Sequence, residues 1–137
     1  MTPHDIANAV SAMVDAKMVT GLKMAEDGMD FEMNTTKGRT QRLQFVFTQD
    51  EKEVGYLNAF SLIGPATDDA GMLKNLLAEN MKLVYSRVAI DGDGVVCQVY
   101  RCRVDQIELE EFWNALRELA GRADALEKQY FRGSDDR

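Results

Sequence analysis

The chain has 137 residues, a formal net charge of -7 and a hydrophobic content of 45%. This length and composition predict a single globular domain over residues 1–131, followed by a polar tail at 132–137 that we expect to be disordered. The acidic balance argues against binding to nucleic acid or to anionic lipid, because both require a basic surface.

The first residues, "MTPHDIANAVSAMVDAK", have no basic segment before an apolar run, so they do not predict a signal peptide. No apolar run approaches the roughly 18–20 residues that a membrane-spanning helix requires. We therefore expect a cytoplasmic protein, in which Cys97 and Cys102 stay reduced. Their odd separation would place the two thiols on opposite faces of a strand, where they neither pair nor bind one ion together.

Apolar residues at helical spacing predict a first helix over residues 3–18. Thr2 is placed to cap this helix, and Pro3 fits its first position. We expect Gly21 to end it. Its apolar positions are Ile6, Val10, Met13 and Val14.

Runs of alternating apolar and polar residues predict β-strands after this helix. The Asp27-Gly28 pair lies between two such runs and is typical of a hairpin turn. The third run has on its inward side Leu43, Phe45 and Phe47. The fourth run, residues 54–63, is apolar on both sides, which predicts a strand covered by a helix on one face and by another subunit on the other.

The second half of the chain predicts a helix over about 68–80, capped by Thr67 or Asp68, then the strands "LVYSRVAI" and "VVCQVYRCRV". A long closing helix follows, with apolar residues at alternating spacings of three and four: Leu109, Phe112, Leu116, Leu119, Ala123, Leu126 and Tyr130. Because tight hairpins join the strands, we predict an α+β fold. It consists of an antiparallel sheet of about five or six strands with an N-terminal helix, a mid-chain helix and a long C-terminal helix.

The segment "IDGDGVV" between the two late strands contains the residues that begin a calcium loop. Such a loop needs oxygen ligands at positions 1, 3 and 5, glycine at 6 and glutamate at 12. Counting from Asp91 puts valines at positions 5 and 6 and Cys102 at position 12. The segment therefore favours a hairpin turn, with Gly92 and Gly94 at positive φ, over a metal site.

We predict no catalytic, cofactor-binding or metal-ligating residue. The single histidine, His4, lies in the first helical turn, where we expect it to be solvated. The acidic clusters at 68–69 and 108–111 begin helices, where carboxylates stabilise the helix dipole. The glycines match no phosphate-binding loop. These patterns predict neither an enzyme nor a cofactor.

Three arginines, Arg87, Arg101 and Arg103, are expected to line one strand face and to balance nearby carboxylates.

The eight methionines are many for this length. Core packing is the default role of such methionines, and the alternative is a surface that accepts varied apolar partners, which the flexible methionine side chain suits. We predict partner-binding residues in the first quarter of the chain: Met13, Met18, Met29, Phe31 and Met33.

Three segments carry a family resemblance: "LQFVFTQDEKEVGYLNAFSLIG", "LLAENMKLVYSRVAIDGDGVV" and "IELEEFWNALRELAGRADALEKQYF". In them Asn80 ends a helix, two strands flank a glycine-containing turn, and the closing helix opens with Leu109-Glu110-Glu111. This arrangement resembles the type III secretion chaperone-like fold, over most of residues 5–131. Within that fold it is most similar to the bacterial YbjN-type domain, described as a sensory transduction regulator.

The resemblance implies a non-enzymatic interaction domain, dimeric as secretion chaperones commonly are, whose apolar grooves take an unfolded segment of a partner. We therefore predict a homodimeric, chaperone-like module that binds a protein or peptide segment through apolar patches. The alternative is a signalling or stress regulator that binds one specific folded partner. Neither function needs a cofactor, a nucleic acid or a membrane.

Overall fold

The computed structural model describes residues 1–36 and 38–131, so the predicted tail lies outside the described residues. The main elements follow one another as α1 (Pro3–Asp15), β1 (Val19–Ala25), β2 (Gly28–Asn34), β3 (Thr40–Gln49), β4 (Gly55–Pro65), α2 (Ala70–Glu79), β5 (Arg87–Ile90), β6 (Val95–Arg103) and α3 (Leu109–Tyr130). Short 3-10 helices at Asn80–Lys82 and Val104–Gln106 precede β5 and α3.

The six strands form one antiparallel sheet in the order β1-β2-β3-β4-β6-β5. With three helices added, this arrangement confirms the predicted α+β fold and its N-terminal, mid-chain and long C-terminal helices. No helix among residues 1–36 and 38–131 is long and apolar enough to cross a membrane.

The first helix ends at Asp15, earlier than predicted. Lys17 takes a left-handed φ of 62°, and the backbone N–H of Met18 donates to the carbonyl of Met13 at 2.9 Å. This is a Schellman motif, formed here by a lysine where glycine is usual. The prediction that Gly21 ends the helix is wrong, because that residue lies inside β1 where the pairing with β2 shifts register.

Side-chain caps define where α1 and α2 begin. Thr2 and Asp5 form a capping box, which confirms the predicted cap of α1. The second helix is capped by Asp69, whose carboxylate accepts a backbone N–H of the first turn at 3.0 Å. The prediction of Thr67 or Asp68 as this cap is therefore wrong. The three adjacent residues Thr67, Asp68 and Asp69 all have side chains that can cap a helix, so the sequence does not indicate which one does.

The segment between β5 and β6 is a hairpin turn, as predicted. Asp91 Oδ1 accepts the backbone N–H groups of Asp93 at 2.9 Å and Val95 at 3.0 Å, so this carboxylate stabilises the turn itself. Gly94 has a φ of 78°, whereas Gly92 does not take positive φ, contrary to prediction.

All three helices pack on one face of the sheet, which we call the covered face. Helices α1 and α3 meet the sheet in a major cluster whose largest buried side chains include Ile6, Met13, Phe31, Leu43, Phe45, Leu57, Phe112, Leu116 and Leu119. Helix α2 meets the end of α3 in a minor cluster of Ile63, Leu76, Val88, Val96, Ala123 and Leu126. In the described part of the chain, no helix or strand lies over the opposite face, which we call the open face.

The predicted apolar seam of the closing helix lies in this core. Five of its residues are buried: Phe112, Leu116, Leu119, Ala123 and Leu126. At the two ends, Leu109 is 50% exposed and Tyr130 is half-buried. The seam therefore binds the chain's own sheet.

Candidate protein-interaction surfaces

The five residues predicted to bind a partner lie in or against the major cluster. Four of them are buried: Met13, Met29, Phe31 and Met33. Met18 is half-buried and packs against the same cluster. Their partner-binding role stays a prediction, but their contacts are those of core residues, because alternate positions of β2 face α1 and α3. Exposed apolar side chains occur elsewhere.

One exposed apolar surface, the α2–β5 patch, is formed by Leu73, Leu77 and Ile90, and Met81 of the short 3-10 helix after α2 is also exposed. Leu77 is 68% exposed, Met81 90% and Ile90 51%. A groove of about 260 Å³ lies within it, lined only by apolar residues of α2 and β5, namely Leu73, Leu76, Leu77, Val88, Ala89 and Ile90. The sequence predicts an apolar stripe on this helix, formed by Met72, Leu73, Leu76 and Leu77, but the side chain of Leu77 is exposed. The spacing of four residues between Leu73 and Leu77 is the signal that an apolar line follows this helix beside Leu76.

The backbone edge of β5 beside this patch is already paired. The side-chain amide of Asn80 donates to the carbonyl of Val88 at 3.3 Å, and its oxygen accepts the N–H of Val88 at 2.6 Å. Asn80 thus makes the two hydrogen bonds that an added strand would make at Val88. A partner at the α2–β5 patch would therefore contact side chains rather than extend the sheet at this residue.

The open face is a second candidate surface. Its centre is apolar, because Phe60 of β4 pairs with Val99 of β6, and Leu62 with Cys97. Phe60 and Val99 are half-buried, and Leu62 is 47% exposed. A groove of about 220 Å³ lies beside Phe60. The apolar residues predicted on both sides of this strand are thus present, but the chain's own helices cover only one side.

Three arginines border this apolar centre, on the face where they were predicted to lie together. Arg103 pairs across the strands with Tyr56, and Arg87 with Val99, which places Arg101 between them on β6. The guanidinium carbon of Arg101 lies 4.9 Å from the centre of the Tyr56 ring, a cation–π contact. This surface therefore combines apolar, aromatic and cationic groups.

A half-buried carboxylate holds the segment between α2 and β5 in place. Glu118 of α3 accepts the backbone N–H groups of Val84, Tyr85 and Ser86 at 2.9, 3.0 and 2.7 Å, and the Ser86 hydroxyl at 2.7 Å. Burial raises the pKa of Glu118, but these hydrogen bonds outweigh it and lower the pKa below its usual value. Because residues 84–86 bond to this side chain, β5 begins at Arg87 and is shorter than predicted.

The other residues that could take part in catalysis or metal binding are Cys97, Cys102 and His4, and none lies in an environment that favours such a role. Cys97 lies on the open face and Cys102 on the covered face, which confirms their predicted separation. Burial raises the pKa of both thiols, which disfavours the reactive thiolate. His4 is exposed in α1. Within the described ranges, no three His, Cys, Asp or Glu residues are grouped to hold a metal ion.

The chain was compared with known families, curated proteins and solved structures. No family model matches it, and no curated protein matches it. A chain from the HopA1–SchA chaperone–effector complex is similar in structure, with a TM-score of 0.55 and 10% sequence identity, over 90% of this chain and 93% of that chain. At this level of identity the similarity establishes the fold alone. The chain therefore has a type III secretion chaperone-like α+β fold, as the sequence predicted.

Proposed function

We propose that the chain is a non-enzymatic, chaperone-like module that binds a segment of another protein through apolar surface patches. The observation that carries this proposal is the uncovered apolar centre of the open face, on a fold shared with a chain of a chaperone–effector complex. An uncovered apolar surface rimmed by polar groups is typical of a protein-interaction site. Burial raises the pKa of Cys97 and Cys102, which disfavours either thiol as a nucleophile.

We further propose a homodimer in which a second copy covers the α2–β5 patch. The patch has an exposed side chain, Leu77, at the border of an apolar groove. A two-fold interface needs such self-complementarity, because the same residues of both subunits meet across the axis. A dimer formed there would leave the open face of each subunit available to a ligand.

The family and the compartment are part of the same proposal. The order of elements, with Asn80 after α2 and acidic residues opening α3, supports a YbjN-type domain. The proposal places this domain in the bacterial cytoplasm. Regulation through one folded partner is the alternative, and the binding experiment below distinguishes the two functions.

Segment binding is tested with a labelled protein kept unfolded by reduction and alkylation, and with the same protein in its native state. We expect the unfolded form to bind and the native form not to bind. Replacing Leu62 with glutamine should raise the Kd about three- to fivefold, because it removes part of the apolar surface. The matched control is Leu109→Gln, at a residue of similar exposure on α3, which should leave the Kd unchanged. Failure to bind the unfolded form, or equal binding of both forms, would contradict the proposal.

A further inference from the structure

The open face over β4, β6 and β5 has a charge distribution unlike that of the whole chain. These three strands contain three arginines and no aspartate or glutamate, whereas the chain has 23 acidic and 16 basic residues. The arginines lie on the same face as Tyr56 and Val99, their cross-strand neighbours. In a net-negative protein, the part of the open face over β4, β6 and β5 thus has only positively charged residues on its strands.

Two of these arginines form no ion pair with a carboxylate in the described residues. Arg103 Nη2 lies 2.8 Å from Asp105 Oδ2. In contrast, none of the ion pairs among residues 1–36 and 38–131 includes Arg87 or Arg101. Both side chains are exposed. We call Arg87 and Arg101 the arginine pair. The sequence predicted that both would balance nearby carboxylates, but neither forms an ion pair with a carboxylate of the described residues.

The acidic residues of β2 do not neutralise the arginine pair. Asp30 and Glu32 lie on the open face, but β3 and β4 separate β2 from β6, a distance of roughly 14 Å at the usual strand spacing. The carboxylate of Asp30 is instead 3.5 Å from Arg42 Nη2. At physiological salt, exposed charges interact weakly beyond a screening length of about 8 Å.

The contact with the Tyr56 ring restricts the conformation of the Arg101 side chain before a ligand binds. The guanidinium lies over the ring at 4.9 Å, which restricts a side chain that would otherwise lose much rotamer freedom on binding. Its N–H groups stay exposed and can donate to a carboxylate. The aromatic contact therefore lowers the entropic cost of forming an ion pair at this position.

We propose that this part of the open face binds an amphipathic helix of another protein, whose apolar stripe is bordered by acidic side chains. The inference rests on the protein-binding function proposed above and adds the chemistry of the ligand. A helix about 10 Å wide covers two strands spaced about 4.8 Å apart. Its apolar stripe would contact Phe60 and Val99, and acidic residues on its border would meet the arginine pair.

The charges favour an acidic protein segment over a nucleic acid. Nucleic-acid binding draws on long-range attraction by a basic surface, and a net charge of -7 opposes that attraction. A helix with few carboxylates needs only local complementarity, which two arginines beside an apolar centre supply. The experiment below includes both classes of ligand.

The probe is a labelled, helix-forming peptide of about 18 residues, or roughly five turns, with leucine and phenylalanine at helical spacing and glutamates along both borders. A second peptide has lysine in place of every glutamate and the same apolar stripe. We expect fluorescence anisotropy to show binding of the glutamate peptide and at least about tenfold weaker binding of the lysine peptide. Added salt should weaken only the first interaction.

The double variant Arg87→Gln/Arg101→Gln should raise the Kd for the glutamate peptide about tenfold, since each exposed ion pair contributes up to roughly fivefold. The control Arg117→Gln/Lys128→Gln makes the same change in net charge on exposed positions of α3 and should change the Kd less than about twofold.

Three results would overturn this inference. They are an unchanged Kd in the arginine double variant, equal binding of the two peptides, and tighter binding of a labelled single-stranded oligonucleotide that the double variant loses. If neither peptide binds while the unfolded protein does, the acidic-helix inference is wrong and the proposed function is retained. If the unfolded protein also fails to bind, the inference and the proposed function are both wrong.

Discussion

Glu118 shows how one side chain sets the shape of a neighbouring element. Its carboxylate accepts four hydrogen bonds from residues 84–86, so this segment is bound to α3 instead of continuing the sheet as a strand. Nothing in the local sequence of "LVYSRVAI" indicates this, because the acceptor is more than thirty positions away along the chain. The strand prediction was too long for that reason.

The hydrogen bonds to Glu118 predict an acid-sensitive contribution to stability. Its pKa is lowered by folding from an ordinary value near 4.5, so the stabilisation is present above that pH and is lost as the pH falls through the folded-state pKa. Glu118→Gln should lower the free energy of unfolding by about 2 kcal/mol at neutral pH. The difference from wild type should shrink below about pH 4.5.

Urea unfolding across this pH range measures the effect of Glu118→Gln. The control is Glu51→Gln, at an exposed residue of the turn between β3 and β4, which should change the free energy by less than about 0.5 kcal/mol. A difference from wild type that stays constant between neutral and acidic pH would show that the carboxylate charge is not the source of the stabilisation.

At the scale of elements, the helices of this chain differ in how completely they are buried. The seam of α3 lies in both clusters, whereas α2 buries only Leu76 fully and leaves Leu77 exposed. Periodicity predicted both helices, because apolar residues recur at helical spacing in each. It could not tell which side of α2 meets the sheet, since its apolar residues spread over too wide an arc.

The burial of Leu116 predicts that the α3 seam is essential for folding. Leu116→Asp would place a charge at a fully buried position of the major cluster, a change that costs more than about 4 kcal/mol and approaches the stability of a typical domain. We expect loss of the far-UV circular dichroism of the folded protein. Leu109→Asp, at the exposed start of the same helix, should stay folded. A folded, monomeric Leu116→Asp protein would instead mean that the seam is a contact between subunits.

At the scale of the whole molecule, α3 unites the sheet with α2. Because it contributes Phe112, Leu116 and Leu119 to the major cluster and Ala123 and Leu126 to the minor one, we propose that residues 1–131 form one folding unit. Among the residues that the structure describes, helices lie on one face of the sheet only. The open face and the α2–β5 patch are the surfaces that association could cover. A dimer and a bound ligand would thus occupy different sides of each subunit.

The proposed dimer predicts that Leu77→Asp separates the subunits without unfolding them. Leu77 is 68% exposed in the single chain, so a charge there costs little until a second copy meets it. Light scattering should give twice 15.4 kDa for the wild type and 15.4 kDa for the variant, with unchanged circular dichroism. Leu109→Asp is the matched control and should remain dimeric. A wild type that is monomeric at all concentrations, or a variant that stays dimeric, would contradict the proposed interface.

The sequence by itself determined the element types and the antiparallel sheet, because these depend on local periodicity and turn residues. The order of the elements carried the resemblance to the type III secretion chaperone-like fold. It also determined the net charge and the turn at Asp91. Only the tertiary structure decided which apolar residues are exposed at the surface. It placed Met13, Met29 and Phe31 in the core and left other apolar side chains exposed, because burial depends on which elements pack against each other across long sequence separations. The separation of Arg87 and Arg101 from the carboxylates of the described residues has the same cause, since strand pairing sets the distance of each charge from its neighbours.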